Sequence, residues 1–332
     1  MKRKRVFILL ATVMLAACNT AVQEDKPSAA DKQTARGNGI YYWKTVFNLN
    51  ETERNFLNEH QVKRLYLRFF DVVPADRANP SNYRIQYEAE PNATLVFRDT
   101  MPENVEIVPV VYITIDALRL IIGSRYDYAG LITERILNMA DFNELGTIKE
   151  VQLDCDWTQQ TQDGYFAFCQ AVKDKLKPYG IQLSCTIRLW QLACTCPPVD
   201  RGVLMLYNTG SVTNPNARNS ILDLNDVSAF FRDKAYGLPL DYAYPTYSWY
   251  VWFRDDQYMG LFHDLPENDT LIQASDVVRH EQVSFEELQA LDSLVRLRMP
   301  EANSASVILY HLDSTNLSNY TTDEIRQIYH RN

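Results

Sequence analysis

Two aspartates stand two positions apart at the end of an apolar run, in the segment VQLDCDWT of residues 151–158. Because side chains alternate along a β-strand, Asp154 and Asp156 are expected to point to the same side of the chain. Two carboxylates at the end of a buried strand raise the free energy of the fold unless they are paired, hydrogen-bonded or functional. The pair therefore predicts acid–base or ligand-binding chemistry, and the alternative is a structural ion pair with Arg188.

Seven further strand-like runs occur along the chain, and most of them also end in polar or aromatic residues. In a barrel of parallel strands these ends meet at one rim, where the active site lies. Carboxylates for acid–base chemistry, amides and arginines for hydroxyl groups, and aromatic rings for sugar faces are the usual composition of a sugar site. The catalytic candidates are Asp71, Asp154 and Asp156. The substrate-binding candidates are Tyr42, Trp43, Arg68, Arg188, Gln191, Tyr207, Asn208, Trp249 and His311.

Several of these residues also have a purely structural interpretation. Trp43 and Trp249 could fill the core, and a lone histidine such as His311 is more often a satisfied core residue than a ligand contact. Asn208 could serve a turn that requires positive φ, and Asp71 could cap a loop. Both interpretations stay open at the level of sequence.

The elements that must position these residues are eight strands that alternate mostly with helices. The strands are expected over residues 39–46, 62–73, 105–115, 151–158, 181–189, 201–208, 240–251 and 305–312. Helices are expected over residues 50–60, 127–140, 164–176, 224–235, 285–298 and 322–330. Asn50 and Ser284 begin two of these helices with capping boxes, and Asn225 is the expected cap of a third. Residues 83–87 and 93–97 could form a hairpin, and residues 254–283 a long insertion.

This order predicts the α/β class and a single, somewhat irregular (β/α)8 TIM barrel over residues 39–332. The competing architecture is an open doubly wound sheet. No G-x-G-x-x-G follows the first strand, so the nucleotide-binding version of that sheet has no local support.

Two segments of the chain resemble motifs of the chitinase-type family 18 glycoside hydrolases. In that family D-x-D-x-E closes strand four and M-x-Y-D closes strand six, where this chain has the residues DCDWT (154–158) and MLYN (205–208). The order of the whole chain also resembles a group of Bacteroidetes-type lipoproteins related to glycoside hydrolases. The resemblance implies a glycan or oligosaccharide ligand at the rim. The order of strands and helices resembles the family's barrel over residues 39–332, whereas the motifs match at only a handful of residues.

The sequence departs from the family at two positions that matter for catalysis. Thr158 stands where the family has its acid Glu, and Asn208 where it has the strand-six Asp. Only Asp156 and Tyr207 match the residues that orient the substrate's acetamido group in the family. One interpretation is therefore a glycoside hydrolase that uses an Asp pair, with a second carboxylate from Asp71, Asp116 or Asp313. The others are a catalytically inactive carbohydrate-binding barrel and a structural envelope lipoprotein.

The N-terminal residues predict a lipoprotein signal peptide over residues 1–17. A basic stretch at residues 2–5 and an apolar stretch at residues 6–14 precede LAAC at residues 15–18, which matches a bacterial lipobox. Cys18 would carry the lipid and attach the chain to a membrane, and residues 18–38 read as a flexible tether. The expected location is the cell envelope, as an outer-membrane lipoprotein that is periplasmic or, from Glu24 and Asp25, surface-exposed.

Composition narrows the ligand classes further. The 332 residues carry a formal charge of −9, and removal of the four basic residues of the signal makes it −13. An acidic chain without a basic stripe argues against a nucleic-acid partner. Five cysteines follow Cys18, an odd number that leaves the disulfide state open, and none has the spacing of a zinc site. The sequence indicates no metal and no cofactor.

Overall fold

The computed structural model describes residues 37–76, 87–231, 236–264 and 272–330. All of them belong to one compact unit, Gln33–Asn332. The lipobox, Cys18, most of the predicted tether and the first arm of the predicted hairpin, except Tyr87, lie outside these residues. Within the described part of the chain, no helix is both long and apolar enough to cross a membrane.

Eight parallel strands form a closed barrel, as the sequence predicts. The strands are β1 (Gly39–Tyr42), β2 (Arg64–Pro74), β3 (Glu106–Ile113), β4 (Glu150–Cys155), β5 (Gln182–Arg188), β6 (Arg201–Met205), β7 (Leu240–Pro245) and β8 (Val307–Tyr310). Each strand pairs with the next along the chain, and β1 pairs with both β2 and β8. The sheet therefore has no break around its circumference, which confirms the (β/α)8 architecture and excludes the open sheet.

Helices connect most of the strands. They are α1 (Glu51–Glu59), α2 (Ile115–Ile122), α3 (Tyr128–Phe142), α4 (Gln162–Leu176), α5 (Leu224–Phe230), α6 (Phe285–Arg298), α7 (Ser314–Leu317) and α8 (Thr322–His330). Short 3-10 segments cover Lys177–Tyr179, Leu189–Ala193 and Pro300–Ser304. The predicted capping boxes at Asn50 and Ser284 are both present. The predicted cap of α5 is wrong, because the side chain of Asp223 accepts the Asn225 N–H and Asn225 lies inside the helix.

Two segments depart from the predicted elements. In the second arm of the predicted hairpin, Val96–Phe97 pairs with Val46–Phe47, whereas Ala89–Asn92 joins the edge of β2. β2 extends beyond the barrel, and Ala89–Asn92 pairs with the backbone groups of this extension. The predicted seventh strand is two strands, since β7 ends at Pro245. Trp249–Arg254 then begins a three-stranded antiparallel sheet with Gln257–Phe262 and Val277–Glu281.

The barrel interior contains polar contacts that run toward the rim. Tyr41 on β1 donates a hydrogen bond of 2.7 Å across the barrel to Gln152 on β4, and Gln152 donates to Ser184 at 3.3 Å. Deeper in the barrel, Arg64 pairs with Asp241 at 3.3 Å. Because side chains alternate along β4, the next inward position after Gln152 is residue 154, at the rim.

Candidate functional site

A cavity of about 730 Å³ opens at the carboxyl ends of the barrel strands. This size lies within the range of about 300–1,000 Å³ that is usual for ligand pockets. Nine of the sequence-predicted residues line it, namely Trp43, Arg68, Asp154, Asp156, Arg188, Tyr207, Asn208, Trp249 and His311. The barrel thus brings together residues from strands that lie far apart in sequence.

Three predicted site residues do not line this cavity. Tyr42 is buried, and its hydroxyl donates to the Val46 carbonyl at 2.7 Å, so it is a core residue. Gln191 is buried because its side chain closes the turn after β5, where it accepts the Arg188 N–H at 2.8 Å. Asp71 is also buried, and both of its carboxylate oxygens accept hydrogen bonds from Arg68.

Asp156 is engaged by an arginine on the neighbouring strand. Nε of Arg188 donates to one carboxylate oxygen of Asp156, and Nη2 donates to the other at 2.9 Å. This is the ion pair that the sequence offered as an alternative, but it is not fully buried, since 45% of the Asp156 side chain is exposed. Both carboxylate oxygens of Asp156 therefore already accept a charge-assisted hydrogen bond.

Asp154 is the buried member of the pair. It is 5% exposed, and the hydroxyl of Thr186 donates to it at 2.7 Å. Burial, together with the nearby charge of Asp156, raises the pKa of Asp154 from 3.8 to about 6. The floor of the cavity therefore holds a carboxyl group that takes up a proton close to neutral pH.

Thr158 lies at the position of the family's catalytic glutamate, but it belongs to a turn. Its N–H donates to Oγ1 of Thr161 at 2.9 Å, and its carbonyl accepts from the same hydroxyl at 3.3 Å. Thr158 does not line the cavity. The backbone at this point therefore forms the entry to α4, and the position supplies neither an acid nor a cavity wall.

Aromatic rings form the wall of the cavity around Tyr207. Its ring centroid lies 5.1 Å from that of Tyr310 and 5.9 Å from that of Tyr247. The hydroxyl of Tyr247 donates to Asn208 at 2.6 Å, and Asn208 has a φ of 55°. Asn208 thus has both features that the sequence offered, because it lies in a left-handed turn and lines the cavity. The hydroxyl of Tyr207 is buried and has no hydrogen-bond partner among the described residues.

Two tryptophans on the rim are held in place by polar partners. Nε1 of Trp249 donates to Glu281 at 2.7 Å, and the guanidinium of Arg68 lies 5.4 Å from the ring centroid of Trp43. Fixed aromatic faces of this kind suit stacking against a planar or weakly polar ligand surface. His311 lines the same cavity, and burial lowers its pKa to about 4, so it is neutral at physiological pH.

Other lining residues were missed at the level of sequence. Tyr310 ends β8 directly before His311, and Tyr112 lies near the end of β3. Burial, together with the nearby charges of Asp156 and Asp154, raises the pKa of Tyr112 to about 12. A further group comes from the three-stranded sheet after β7, and comprises Tyr250, His263, Asp264, His280 and Gln282. Their location in an insertion that follows a barrel strand was the available signal, since such loops build the active face.

The remaining candidates for a second carboxylate are placed differently. Asp116 lies in α2, is 68% exposed and pairs with Arg119, so it does not line the cavity. Asp313 does line the cavity, where it caps α7 and lies 3.3 Å from Nζ of Lys44. Although burial raises its pKa, the Asn316 N–H and the charge of Lys44 bring the pKa of Asp313 below its ordinary value.

Comparisons with known proteins identify the fold. No family model and no curated protein matches the chain. The spore cortex-lytic enzyme SleL of Bacillus cereus matches with a TM-score of 0.55 and 12% identity, over 89% of this chain and 74% of its own. A chitinase of Chromobacterium violaceum matches with a TM-score of 0.53 and 11% identity, over 87% and 97%. The Group IV chitinase of Ostrinia furnacalis in complex with allosamidin matches with a TM-score of 0.52 and 10% identity, over 89% and 98%. The chain therefore has the barrel fold of the chitinase-like glycoside hydrolases.

Proposed function

We propose that this barrel binds a glycan in the cavity at the carboxyl ends of its strands. The observation that carries the proposal is the Tyr207 hydroxyl, which is buried at the cavity and has no hydrogen-bond partner among the described residues. A buried hydroxyl without a partner raises the free energy of the folded protein. A ligand acceptor at this point, such as the carbonyl of an acetamido group, would satisfy it.

The rest of the lining supports an uncharged saccharide. Arg68 and Arg188, both at the cavity, are each neutralised by an aspartate, so they offer guanidinium edges to hydroxyl groups without a net positive field. Trp43 and Trp249 offer ring faces of the type that sugar rings stack against. The similarity to solved chitinases supports the same ligand class.

Hydrolysis by the chitinase route is disfavoured by two features of the site. That route needs an acid at position 158, and Thr158 is a turn residue outside the cavity. In addition, Asp156 matches the family residue that orients the acetamido group, and here both of its carboxylate oxygens accept hydrogen bonds from Arg188. The proposed activity is therefore binding, with the catalytic position of the family replaced.

Replacement of Tyr207 by Phe is expected to weaken glycan binding by about tenfold without destabilising the protein. The lost hydroxyl makes no bond within the described structure, while a ligand hydrogen bond at a buried site is worth about 1–1.5 kcal/mol. Titration calorimetry with N-acetylglucosamine oligomers, together with thermal unfolding, measures both effects.

Tyr320→Phe is the matched control, because this hydroxyl donates to the Val283 carbonyl at 2.6 Å away from the cavity. The control should lower stability and leave binding unchanged. Equal binding by wild type and Tyr207→Phe would contradict the role of the hydroxyl. Absence of binding to a broad panel of glycans by the wild type would overturn the function itself.

A second candidate function is hydrolysis with Asp154 as the proton donor. Its pKa of about 6 and its place on the cavity floor favour this role. Turnover of a glycan by the wild type, lost in Asp154→Asn while binding persists, would support it. Turnover that survives the substitution would exclude it.

We also propose that Cys18 attaches the barrel to the cell envelope through a lipid, as an outer-membrane lipoprotein. The support is the lipobox at residues 15–18 behind a basic and an apolar stretch. Labelled palmitate should enter the wild-type protein expressed in a bacterium, and the protein should sediment with membranes. Cys18→Ser should remove the label and release the protein, whereas label retained in the variant would contradict the proposal.

A further inference from the structure

A second compartment of about 560 Å³ lies against the first, on the side of β5 and β6. We propose that it takes an apolar or aromatic substituent attached to the glycan, so that the natural ligand is a glycoside with an apolar aglycone. This inference rests on the proposed glycan binding, and it adds the chemical class of the group beside the sugar.

The two compartments are adjacent and share part of their lining. Asp156, Arg188, Tyr207, Asn208 and Trp249 line both of them. A single molecule that contacts this shared ridge can therefore place one part in each compartment. The ridge carries the Asp156–Arg188 ion pair, which can hydrogen-bond the sugar end of the ligand next to the junction.

Beyond the ridge, four of the seven residues that line the second compartment are apolar. Leu189, Trp190, Val212 and Phe230 contribute side chains to it. Of the two hydroxyls there, Ser220 donates its hydrogen to Glu281, and Thr209 accepts the Asp223 N–H at 2.8 Å. The first compartment differs, because histidines, amides and carboxylates line it beyond the same ridge.

This difference in lining favours an apolar group over a sugar in the second compartment. Beyond the ridge, a sugar in the second compartment would find fewer hydrogen-bond partners among the described residues than in the first compartment, and burial of unpaired hydroxyl groups is unfavourable. An alkyl or aryl group would lose no hydrogen bonds, and would cover the half-buried side chains of Trp190, Val212 and Phe230. The ring of Trp190 is already packed edge-on against Trp157 at 5.3 Å, so this wall is preformed.

Two glycosides of N,N′-diacetylchitobiose test the inference, one with an octyl and one with a triethylene glycol aglycone. Their aglycones are similar in length and differ in polarity. Calorimetry below the critical micelle concentration should show about tenfold tighter binding of the octyl glycoside, as burial of a few methylene groups predicts. Phe230→Ala and Val212→Asp should each remove this preference and leave the affinity for the triethylene glycol glycoside unchanged.

Phe142→Ala is the matched control, because this phenylalanine is 87% exposed on α3 and distant from both compartments. It should keep the full preference for the octyl glycoside. If Phe230→Ala does not fold, the loop variant Val212→Asp alone tests whether the second compartment causes the preference for the octyl glycoside. Equal binding of both glycosides to the wild type, or a preference that survives Val212→Asp, overturns the inference alone. Failure of both glycosides to bind overturns the proposed function instead.

Discussion

Replacement of Arg188 by Met is expected to destabilise the protein by about 1–3 kcal/mol and to abolish measurable glycan binding. The substitution leaves Asp156 without its two guanidinium hydrogen bonds, beside the buried carboxyl group of Asp154. Loss of one partner from a fully buried pair costs about 3–5 kcal/mol. The smaller value applies here because 45% of the Asp156 side chain is exposed, and water screens its charge.

A double-mutant cycle isolates the ion pair from other effects of the substitution. Asp156→Asn in the Arg188→Met background removes the unpaired charge, so the double variant should recover most of the lost stability. Urea unfolding at pH 7.5 measures each corner of the cycle. Glycan binding should not recover, because the guanidinium edge at the ridge between the compartments is still absent. Additive losses in the double variant would show that the two side chains do not interact.

Arg119→Met provides a surface comparison. Arg119 also pairs with an aspartate, Asp116, at 2.8 Å, but both side chains are more than half exposed. Exposed pairs of this kind contribute about 0–1 kcal/mol. If Arg119→Met lowered the free energy of unfolding as much as Arg188→Met, the ion pair at the rim would contribute no more to stability than an exposed pair.

Local chemistry explains which parts of the fold could be predicted. Asn50 and Ser284 satisfy exposed N–H groups of the first helical turn, and this requirement depends only on the residues that follow them. The eight strands are similarly evident, because buried parallel strands read as continuous apolar runs. The barrel follows from their alternation with helices, without reference to any long-range contact.

Side-chain direction explains part of what was predicted wrongly at the site. Tyr42 and Trp43 are neighbours at the end of β1, and alternation allows only one of them to face the cavity. Trp43 does so, and Tyr42 is buried in the core. This error was avoidable from the sequence. Gln191 is different, since its role in the turn after β5 depends on how the chain leaves the barrel.

The contribution of the three-stranded sheet could not be derived from local patterns. Its strands begin at residues 249, 257 and 277, and register between distant strands depends on packing that one sequence does not display. As a result His280, which stacks on Tyr250 with a centroid distance of 4.4 Å, was not among the predicted residues. Position in the chain was the available indication, because the segment follows β7 at the active face.

The pairing pattern of the aspartates connects structure to function. Arginines hold Asp71 and Asp156, and Lys44 lies next to Asp313, so these three carboxylates have positive partners. Asp154 accepts a hydrogen bond from Thr186, which is a neutral partner. A site whose carboxylates mostly have positively charged partners suits hydrogen-bond acceptance from sugar hydroxyls. Asp154 is the exception, because its pKa is raised to about 6 and its charge therefore changes near neutral pH.

Stability is expected to fall as the pH rises toward 6, because of Asp154. In the unfolded chain this carboxyl group loses its proton near pH 3.8, but in the folded protein its pKa is about 6. Between these values the folded state binds more protons, so rising pH favours unfolding. The slope is at most about 1.4 kcal/mol per pH unit, and the window from pH 4.5 to 7.5, in which the titration is completed, corresponds to a loss of about 2 kcal/mol.

Asp154→Asn removes this titration and should keep the hydrogen bond from Thr186, since an amide oxygen also accepts. Relative to the wild type, the variant should therefore be about 2 kcal/mol more stable at pH 7.5 than at pH 4.5, as measured by urea unfolding at both values. Asp313→Asn is the control, because the pKa of Asp313 is lowered and its stabilisation is lost only at pH values below this window. Its effect should be the same at both pH values. A difference between Asp154→Asn and wild type that does not change with pH would mean that Asp154 is already ionised in the folded protein at pH 4.5, and would remove the basis for its role as a proton donor.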